Sequence, residues 1–319
     1  MGFKYTVVAD TLAFLGYDLN ENPREILEAV KAAGYDGVDV AGDRERIQSG
    51  ELRQIADSLE LEIPEVLGAW AYYHSGENRD LAGGDAEVRS RGIQYAKDSI
   101  ELAVELGAQF FEVCAAQPPI PQIPFPDLSI KTLRSNFLEA LKEICGYAEK
   151  RNIEVLFEPL NCYEGYPGVL TTLYEATNLI RDLGYANAGI QPDVFHMNIS
   201  EGSIPDALRE AGTLVKHFHM NETNRYSYGA GHGDHRAIIR TLKEIGFTGF
   251  IAIYLPLISQ EVCRLGGYIT SASASGGQIA NRPDLNLILE RQLQYLKQIE
   301  SQVERQWATY EKGSSYLES

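Results

Sequence analysis

Residues 187–225, NAGIQPDVFHMNISEGSIPDALREAGTLVKHFHMNETNR, contain two short apolar runs, AGIQPD and LVKHFHMN, separated by a segment with helical spacing. Each run has the length of a buried strand and leads into groups that can bind a hard or borderline cation: Asp193 and His196 at the first, His219, Glu222 and Arg225 at the second. Short buried strands that end in such groups and alternate with helices have the character of strands at the C-terminal face of a parallel α/β barrel.

The same alternation extends in both directions. Upstream, KYTVVAD, YDGVDVAG, EIPEVLGAW, QFFEVCA and IEVLFEP read as five more strands, and FIAIYLP downstream as the eighth. Between them lie helical patterns: PREILEAVKAAG, stopping at Gly34; a second with Ile47, Leu52, Ile55 and Leu59 on one face; a long helix over 86–106; and a fourth with Leu133, Phe137, Leu141 and Ile144. TTLYEATNLIRDLG, IPDALREAG and HRAIIRTLKEIG continue the series. Eight strand–helix pairs without a composition break predict a (β/α)8 TIM barrel, α/β class, occupying 1–319 as a single domain. A doubly wound sheet would favour a glycine-rich first turn, whereas here the first strand runs into Ala9-Asp10-Thr11. AQPPIPQIPFPD has too many prolines for regular structure and is expected as an ordered surface loop. Residues 255–283 read as a loop insert between strand eight and the last helix, and 284–310 as that C-terminal helix. The helix carries Leu289, Leu293, Leu296, Ile299, Val303 and Trp307 on one stripe, chiefly for core packing, with its end able to reach a second subunit in a homo-oligomer.

Charge and cysteine usage narrow the function. A net charge of −17 argues against a sequence-independent nucleic-acid surface and against anionic membranes. No apolar run is long enough to span a bilayer, and MGFKYTVVAD lacks a basic region followed by an apolar core. The four cysteines are widely spaced and form no CxxC pair, which suggests neither a zinc knuckle nor a disulfide framework and suits a reducing, cytoplasmic setting.

In a barrel, Glu158, Asp193 and His219 end strands five, six and seven on the catalytic face. A lone strand-end aspartate is more often an N-cap and a lone histidine a satisfied core residue, but three strong ligand types ending consecutive strands exceed what capping requires. Carboxylate and imidazole without thiolate suit an open catalytic ion: Mn2+, Mg2+, Co2+, Fe2+ or Zn2+. His217 is expected in the barrel wall, facing away from His219. The glycines of YGAGHGDH match no phosphate-loop pattern and read as a flexible loop with His232 and His235 exposed. Tyrosines and Trp70 crowd the expected mouth, where stacking on a ligand's apolar face and packing under loops are equally good readings.

The segments FEPLNCYEG, QPDVFHMNI and HFHMNETNR, together with 78–108, resemble the xylose isomerase-like sugar isomerase and epimerase superfamily, and within it the ketose 3-epimerases of the D-tagatose and D-psicose type. The resemblance covers most of the chain up to about Phe250. It implies a divalent metal, Mn2+ first with Co2+, Mg2+ or Zn2+ as alternatives, held by Glu158, Asp193 and His219, with Glu158 also the acid/base. It implies an unphosphorylated sugar or polyol substrate whose hydroxyls are held by His196 and Arg225 and contacted by Glu164. Trp70 and His74, on the loop after strand three, are further candidates for substrate contact. The departure is Tyr254, which stands where the resemblance leads one to expect a glutamate that completes the metal site and supplies a second acid/base. Three explanations follow. Glu261 in the insert replaces the missing ligand; or three protein ligands support one-base chemistry, an isomerisation or the action of a lyase or dehydratase on a keto-sugar or inosose, with Tyr254 as acid or orienting donor; or the protein binds a sugar without turning it over.

Overall fold

The computed structural model describes residues 2–68, 78–115, 128–255 and 284–315. Eight parallel strands, β1 (Lys4–Val8), β2 (Gly37–Ala41), β3 (Glu65–Leu67), β4 (Phe110–Val113), β5 (Glu154–Phe157), β6 (Ala188–Ile190), β7 (Phe218–Met220) and β8 (Phe250–Ile253), form one sheet in the order 6-5-4-3-2-1-8-7. The two ends meet: isolated parallel bridges pair Ile190 with Val215 and Asp193 with His219, closing the sheet on itself as a (β/α)8 barrel. Two backbone bonds carry the seam, Lys216 N–H to Ile190 O at 3.0 Å and His219 N–H to Pro192 O at 2.8 Å.

The helices α1 (Pro23–Ala33), α2 (Ser49–Ser58), α3 (Ala86–Leu106), α4 (Ile130–Glu149), α5 (Leu173–Leu183), α6 (Val194–Ser200), α7 (Ile204–Ala211), α8 (His235–Glu244) and α9 (Leu285–Ser315) connect or flank the strands, with a 3-10 helix over Ala9–Leu15 after β1. Their boundaries are chemical. Asp85, Ser129, Thr172, Asp193, Ser203 and Asp234 accept backbone N–H bonds at the starts of α3 to α8, and Gly34, Gly107 and Gly184 end α1, α3 and α5 in left-handed conformation. α4 turns Leu133, Phe137, Leu141 and Ile144 into the core. α9 buries Leu289, Leu293, Leu296 and Val303, and its Glu300 accepts from Phe3 N at 2.8 Å and Tyr5 Oη at 2.9 Å, tying the last helix to the first strand.

Strand parity places one side chain in two inside the barrel. Val38 and Val40 belong to the apolar cluster that the helices cover, while Asp39 between them is bonded within the barrel to Thr6 and His217. Val8, Ala41, Leu67, Ala252 and Tyr254 form a separate small apolar cluster inside. Beside them the interior holds Asp39, Glu65, Glu112, His217 and His219, with Phe110 and Phe250 packed on the His217 ring, a more polar filling than the branched aliphatic one usual in such barrels.

Where strands approach closely, glycine is required. A Cβ on Gly249 would run into the Lys216 carbonyl, next to the seam, whereas one on Gly50 meets nothing within 4 Å. Gly249→Ala is therefore expected to cost about 1–3 kcal/mol in urea unfolding, and Gly50→Ala to change stability by less than about 1 kcal/mol. Equal effects at the two positions would contradict the close contact.

Candidate functional site

The polypeptide leaves β5, β6 and β7 with Glu158, Asp193 and His219 at the same end of the barrel, and each is held by a different local device. Glu158 follows the last residue of β5, its N–H bonded to Val113 O at 3.1 Å. Asp193 caps α6 as a lone strand-end aspartate would: Oδ1 accepts from His196 N at 3.0 Å, and Oδ2 from Asn221 Nδ2 at 2.7 Å. His219 lies within β7, its Nδ1 3.5 Å from Glu158 Oε1. All three are at most 2% exposed.

The donor atoms of Glu158, Asp193 and His196 lie within 4.8 Å of one another, as do those of Glu112, Cys114 and Glu158. A further set, Asp39, Glu65, His217 and His219, satisfies the same limit and is fully buried. His217 therefore does not face away from His219. Residues two apart on a strand share a face, and both imidazoles contact Glu65 Oε2 at 3.3 Å.

His196 has its tautomer set by the backbone. Asn161 N–H can only donate, so His196 Nδ1, 3.1 Å away, accepts and Nε2 carries the proton. Arg225 Nη2, also only a donor, faces that Nε2–H at 3.2 Å, so the two need an acceptor between them, and Glu158 Oε1 lies 3.9 Å from Nε2. Two donors thus converge beside the Glu158 carboxylate, an arrangement suited to an incoming oxygen. Burial lowers the His196 pKa to about 3, keeping the ring neutral. Arg225 stacks over the Phe195 ring at 4.1 Å and adopts a left-handed backbone with φ 56°. Glu164 sits on the loop after β5, accepting from Asn161 Nδ2 at 3.1 Å.

Tyr254 is 8% exposed and meets the His219 ring edge-to-face at 4.9 Å between centroids. Burial, then the charges of Glu158, Glu112 and Asp193, push its pKa well above the ordinary tyrosine value, so it is a neutral phenol. Trp70, His74 and Glu261 lie outside the described residues.

The loop after β7 is tied down, which the flexible reading did not anticipate. Glu222 Oε1 accepts from Thr223 N at 2.9 Å and Gly233 N at 3.1 Å, and Oε2 from Gly229 N at 2.9 Å. Glu222 is therefore scaffold for the loop that carries Arg225. His235, expected exposed, is 1% exposed with its Nε2 3.1 Å from Asn221 O. Tyr228 stacks on Tyr295 at 5.3 Å beneath the same loop, which favours packing for that tyrosine.

The sequence reading passed over Asp39, Glu65, Glu112, Gln191, Asn161 and Asn221. Three of these were signalled by parity: a single acid among apolar neighbours in Val38-Asp39-Val40, Phe111-Glu112-Val113 and Glu65-Val66-Leu67 marks an inward position. Together they give the site its electrostatic character. Burial, followed by neighbouring carboxylates, pushes Glu158 up to about 8, with a hydrogen bond from Glu112 opposing the rise. Burial likewise pushes Glu65 up to about 8, against the bond and charge of His219. Buried carboxylates and imidazoles at this density, without a contributing thiolate among Glu158, Asp193 and His219, form a donor set that fits a divalent cation.

The sequence over residues 27–258 matches the family described as the xylose isomerase-like TIM barrel, and the chain belongs to that family. It is 35% identical over 247 residues to the D-psicose 3-epimerase of Agrobacterium fabrum, spanning 77% of this chain and 81% of that protein. It is 30% identical over 273 residues to the D-psicose 3-epimerase of Ruminiclostridium cellulolyticum, spanning 84% and 87%. In three dimensions it resembles the D-psicose 3-epimerase of Clostridium cellulolyticum solved with D-tagatose, with TM-score 0.75 and 22% identity, covering 93% of this chain and 99% of that one. It also resembles an L-ribulose 3-epimerase, with TM-score 0.77 and 18% identity, covering 97% and 98%. No helix among the described residues is long and apolar enough to cross a membrane.

A carboxyl whose folded-state pKa is raised binds its proton more tightly when folded. Its contribution to stability is thus fully present below the ordinary value of 4.5 and lost as pH rises through about 8. Metal-free protein is expected to lose melting temperature across that window, and Glu158→Gln to flatten the loss, raising Tm above pH 8 by about 2–4 °C for each kcal/mol recovered. A pH profile of Tm identical in wild type and variant would sink this reading.

Proposed function

We propose that the protein is a divalent-metal-dependent sugar isomerase or epimerase acting on an unphosphorylated ketose, polyol or keto-sugar through an enediolate. The observation that carries the proposal is that Glu158, whose carboxylate lies within 4.8 Å of donor atoms of Asp193 and His196 and 3.5 Å from His219 Nδ1, stands beside the donor pair His196 and Arg225 in a chain 35% identical to a D-psicose 3-epimerase. Glu158, Asp193 and His219 would hold the ion, Mn2+ first with Co2+, Mg2+ or Zn2+ as alternatives, and Glu261 would be a fourth ligand if the insert brings it near. When bound, the ion supplies Lewis-acid polarisation of the substrate carbonyl and its neighbouring oxygen.

The protein's own groups then divide the work. Glu158 removes the proton from the carbon beside the carbonyl, its raised proton affinity suiting a base that works near neutrality. His196 Nε2–H and the Arg225 guanidinium donate to the oxygen on which negative charge develops, in a buried setting where such bonds are strong. Glu164 orients a hydroxyl near the reacting carbons, and Trp70 and His74 would be further substrate contacts. Tyr254 presents a neutral phenol beside Glu158, able to donate or orient a proton but a poor base.

That neutral phenol favours a second reading. A lyase or dehydratase acting on a keto-sugar or inosose needs one base and an acid for the leaving group, which Glu158 and Tyr254 supply. A sugar-binding homologue without turnover is the third reading. The barrel over 1–319 with 255–283 as its insert is read as one domain, working in the cytoplasm, with the end of α9 as the face for a second copy.

The test joins metal analysis to a sugar and keto-sugar panel. Purified protein is expected to retain a divalent ion, and Glu158→Gln to lower turnover by at least about 10²-fold. A stereochemical change at constant mass supports the isomerase or epimerase, and loss of water the lyase. Ligand-induced stabilisation without turnover leaves the binding protein. A protein that binds no Mn2+, Co2+, Mg2+ or Zn2+ and is indifferent to Glu158→Gln overturns the enzyme.

A further inference from the structure

His219 offers a nitrogen on each side. Its Nδ1 faces Glu158 Oε1 at 3.5 Å, while its Nε2 faces the barrel interior, 2.5 Å from the Gln191 amide and 3.3 Å from Glu65 Oε2. Gln191 fits one way round: with its nitrogen toward the Glu65 carboxylate it donates, and its oxygen then faces the imidazole. The reverse orientation sets a carbonyl oxygen against a carboxylate and an amide N–H against the ring. In the satisfied orientation the Gln191 oxygen lies against the ring and in line with neither N–H, so the amide holds Glu65, and the Glu65 carboxylate, once ionised, is the acceptor 3.3 Å from Nε2 that favours a proton there, whereas Nδ1 is 3.5 Å from Glu158.

We infer that Gln191 and Glu65 are positioning residues that fix His219 as its Nε2–H tautomer and so turn the Nδ1 lone pair toward Glu158. A ring nitrogen can bind a cation only through its lone pair, and a buried acceptor behind the opposite N–H orients the ring and makes it a better ligand. The inference rests on the reading of Glu158, Asp193 and His219 as the metal centre, and extends it one layer into the barrel.

Glu65 is itself held in place. It is fully buried, and its Oε2 lies 3.3 Å from His217 Nε2, which is 3.0 Å from Asp39 Oδ2, which accepts from Thr6 Oγ1 at 2.8 Å. Contacts therefore run from the site through β7, β3 and β2 to β1. These buried contacts hold the Glu65 carboxylate from within the barrel, so the imidazole direction is set there and not by the loops of its mouth. Asp39, Glu65, His217 and His219 also have the donor types of a cation site, but His219 Nε2 cannot both ligate there and carry the proton it donates to Glu65.

Histidine-selective 15N NMR on metal-free protein above the imidazole titration range, with His219→Gln for assignment, reads the tautomer directly. The wild type is expected to show the bare nitrogen of His219 as Nδ1. Gln191→Leu and Glu65→Gln are expected to mix the tautomers and to weaken Mn2+ binding in calorimetry by roughly 10–100-fold. Glu300→Gln, which removes a buried carboxylate at α9, controls for general destabilisation and should change neither. A bare Nε2 in the wild type, or tautomer and affinity unmoved in both variants, overturns the inference. So does a tightly held ion that survives Glu158→Gln and is lost in Asp39→Asn, because it would place metal on Nε2. If wild type shows the Nε2–H tautomer yet binds no cation, the positioning of His219 stands and the metal reading of the site fails.

Discussion

The hydrogen bond from His219 N–H to Pro192 O, 2.8 Å long, is the constraint on which the rest of the site depends. It belongs to the seam where β6 meets β7 and turns an eight-stranded sheet into a barrel. The bridge it supports pairs the backbones of Asp193 and His219, so the contact that closes the fold also sets two of the three candidate ligands side by side. Proline at 192 suits this place: it has no N–H to offer, and the bond uses its carbonyl. Immediately after it, Asp193 turns the chain into α6, and the cap that starts the helix brings His196 back over Glu158. Closure, capping and convergence are thus one local event in the sequence QPDVFH.

A barrel closed in this way traps what faces inward. Asp39, Glu65, Glu112, Glu158 and Asp193 are all buried, with Arg225 and the imidazoles of His196, His217 and His219 for company. Leaving such charges unpaired would cost far more than the fold can supply. The protein manages them by protonation, by the chain of contacts from His219 to Thr6, and at the rim by donors aimed at Glu158. The upward shifts at Glu65 and Glu158 express the same tension, and a cation at the rim would relieve it.

The barrel was legible in the sequence because alternation between short buried runs and amphipathic helices repeats eight times, and because helix ends carry their own chemistry, such as Gly34 and Asp85. The strand pattern places Glu158 just after β5, Asp193 beyond β6 and His219 within β7, at the same end of the barrel. The interior acids were not legible. Asp39 and Glu112 look like isolated polar residues in apolar strands, and only parity tells that they point into the barrel. Parity was also misapplied at His217, which shares a face with His219 and lies in the polar interior. The loop 223–233 was misread for another reason: its glycines suggest freedom, but a buried carboxylate two residues beyond β7 collects its backbone N–H groups, and no local pattern in YGAGHGDH reveals that partner.

Tyr254 gains a meaning in this setting that the sequence could not give it. Taken alone, a phenol where the family resemblance leads one to expect a carboxylate is a loss. Inside this barrel it stands against the His219 ring, within the fields of Glu158, Glu112 and Asp193, all of which oppose its ionisation. A carboxylate at the same place would meet the same repulsion, in a volume that already holds Glu112 against Glu158 through the Cys114 sulfur, at 3.5 and 3.9 Å. The neutral phenol therefore adds no negative charge to a rim where Glu112 on β4 and Asp193 after β6 already flank Glu158. In the proposed reaction proton transfer would run through Glu158 with Tyr254 as a neutral donor, which is a narrower device than a pair of interchangeable carboxylates.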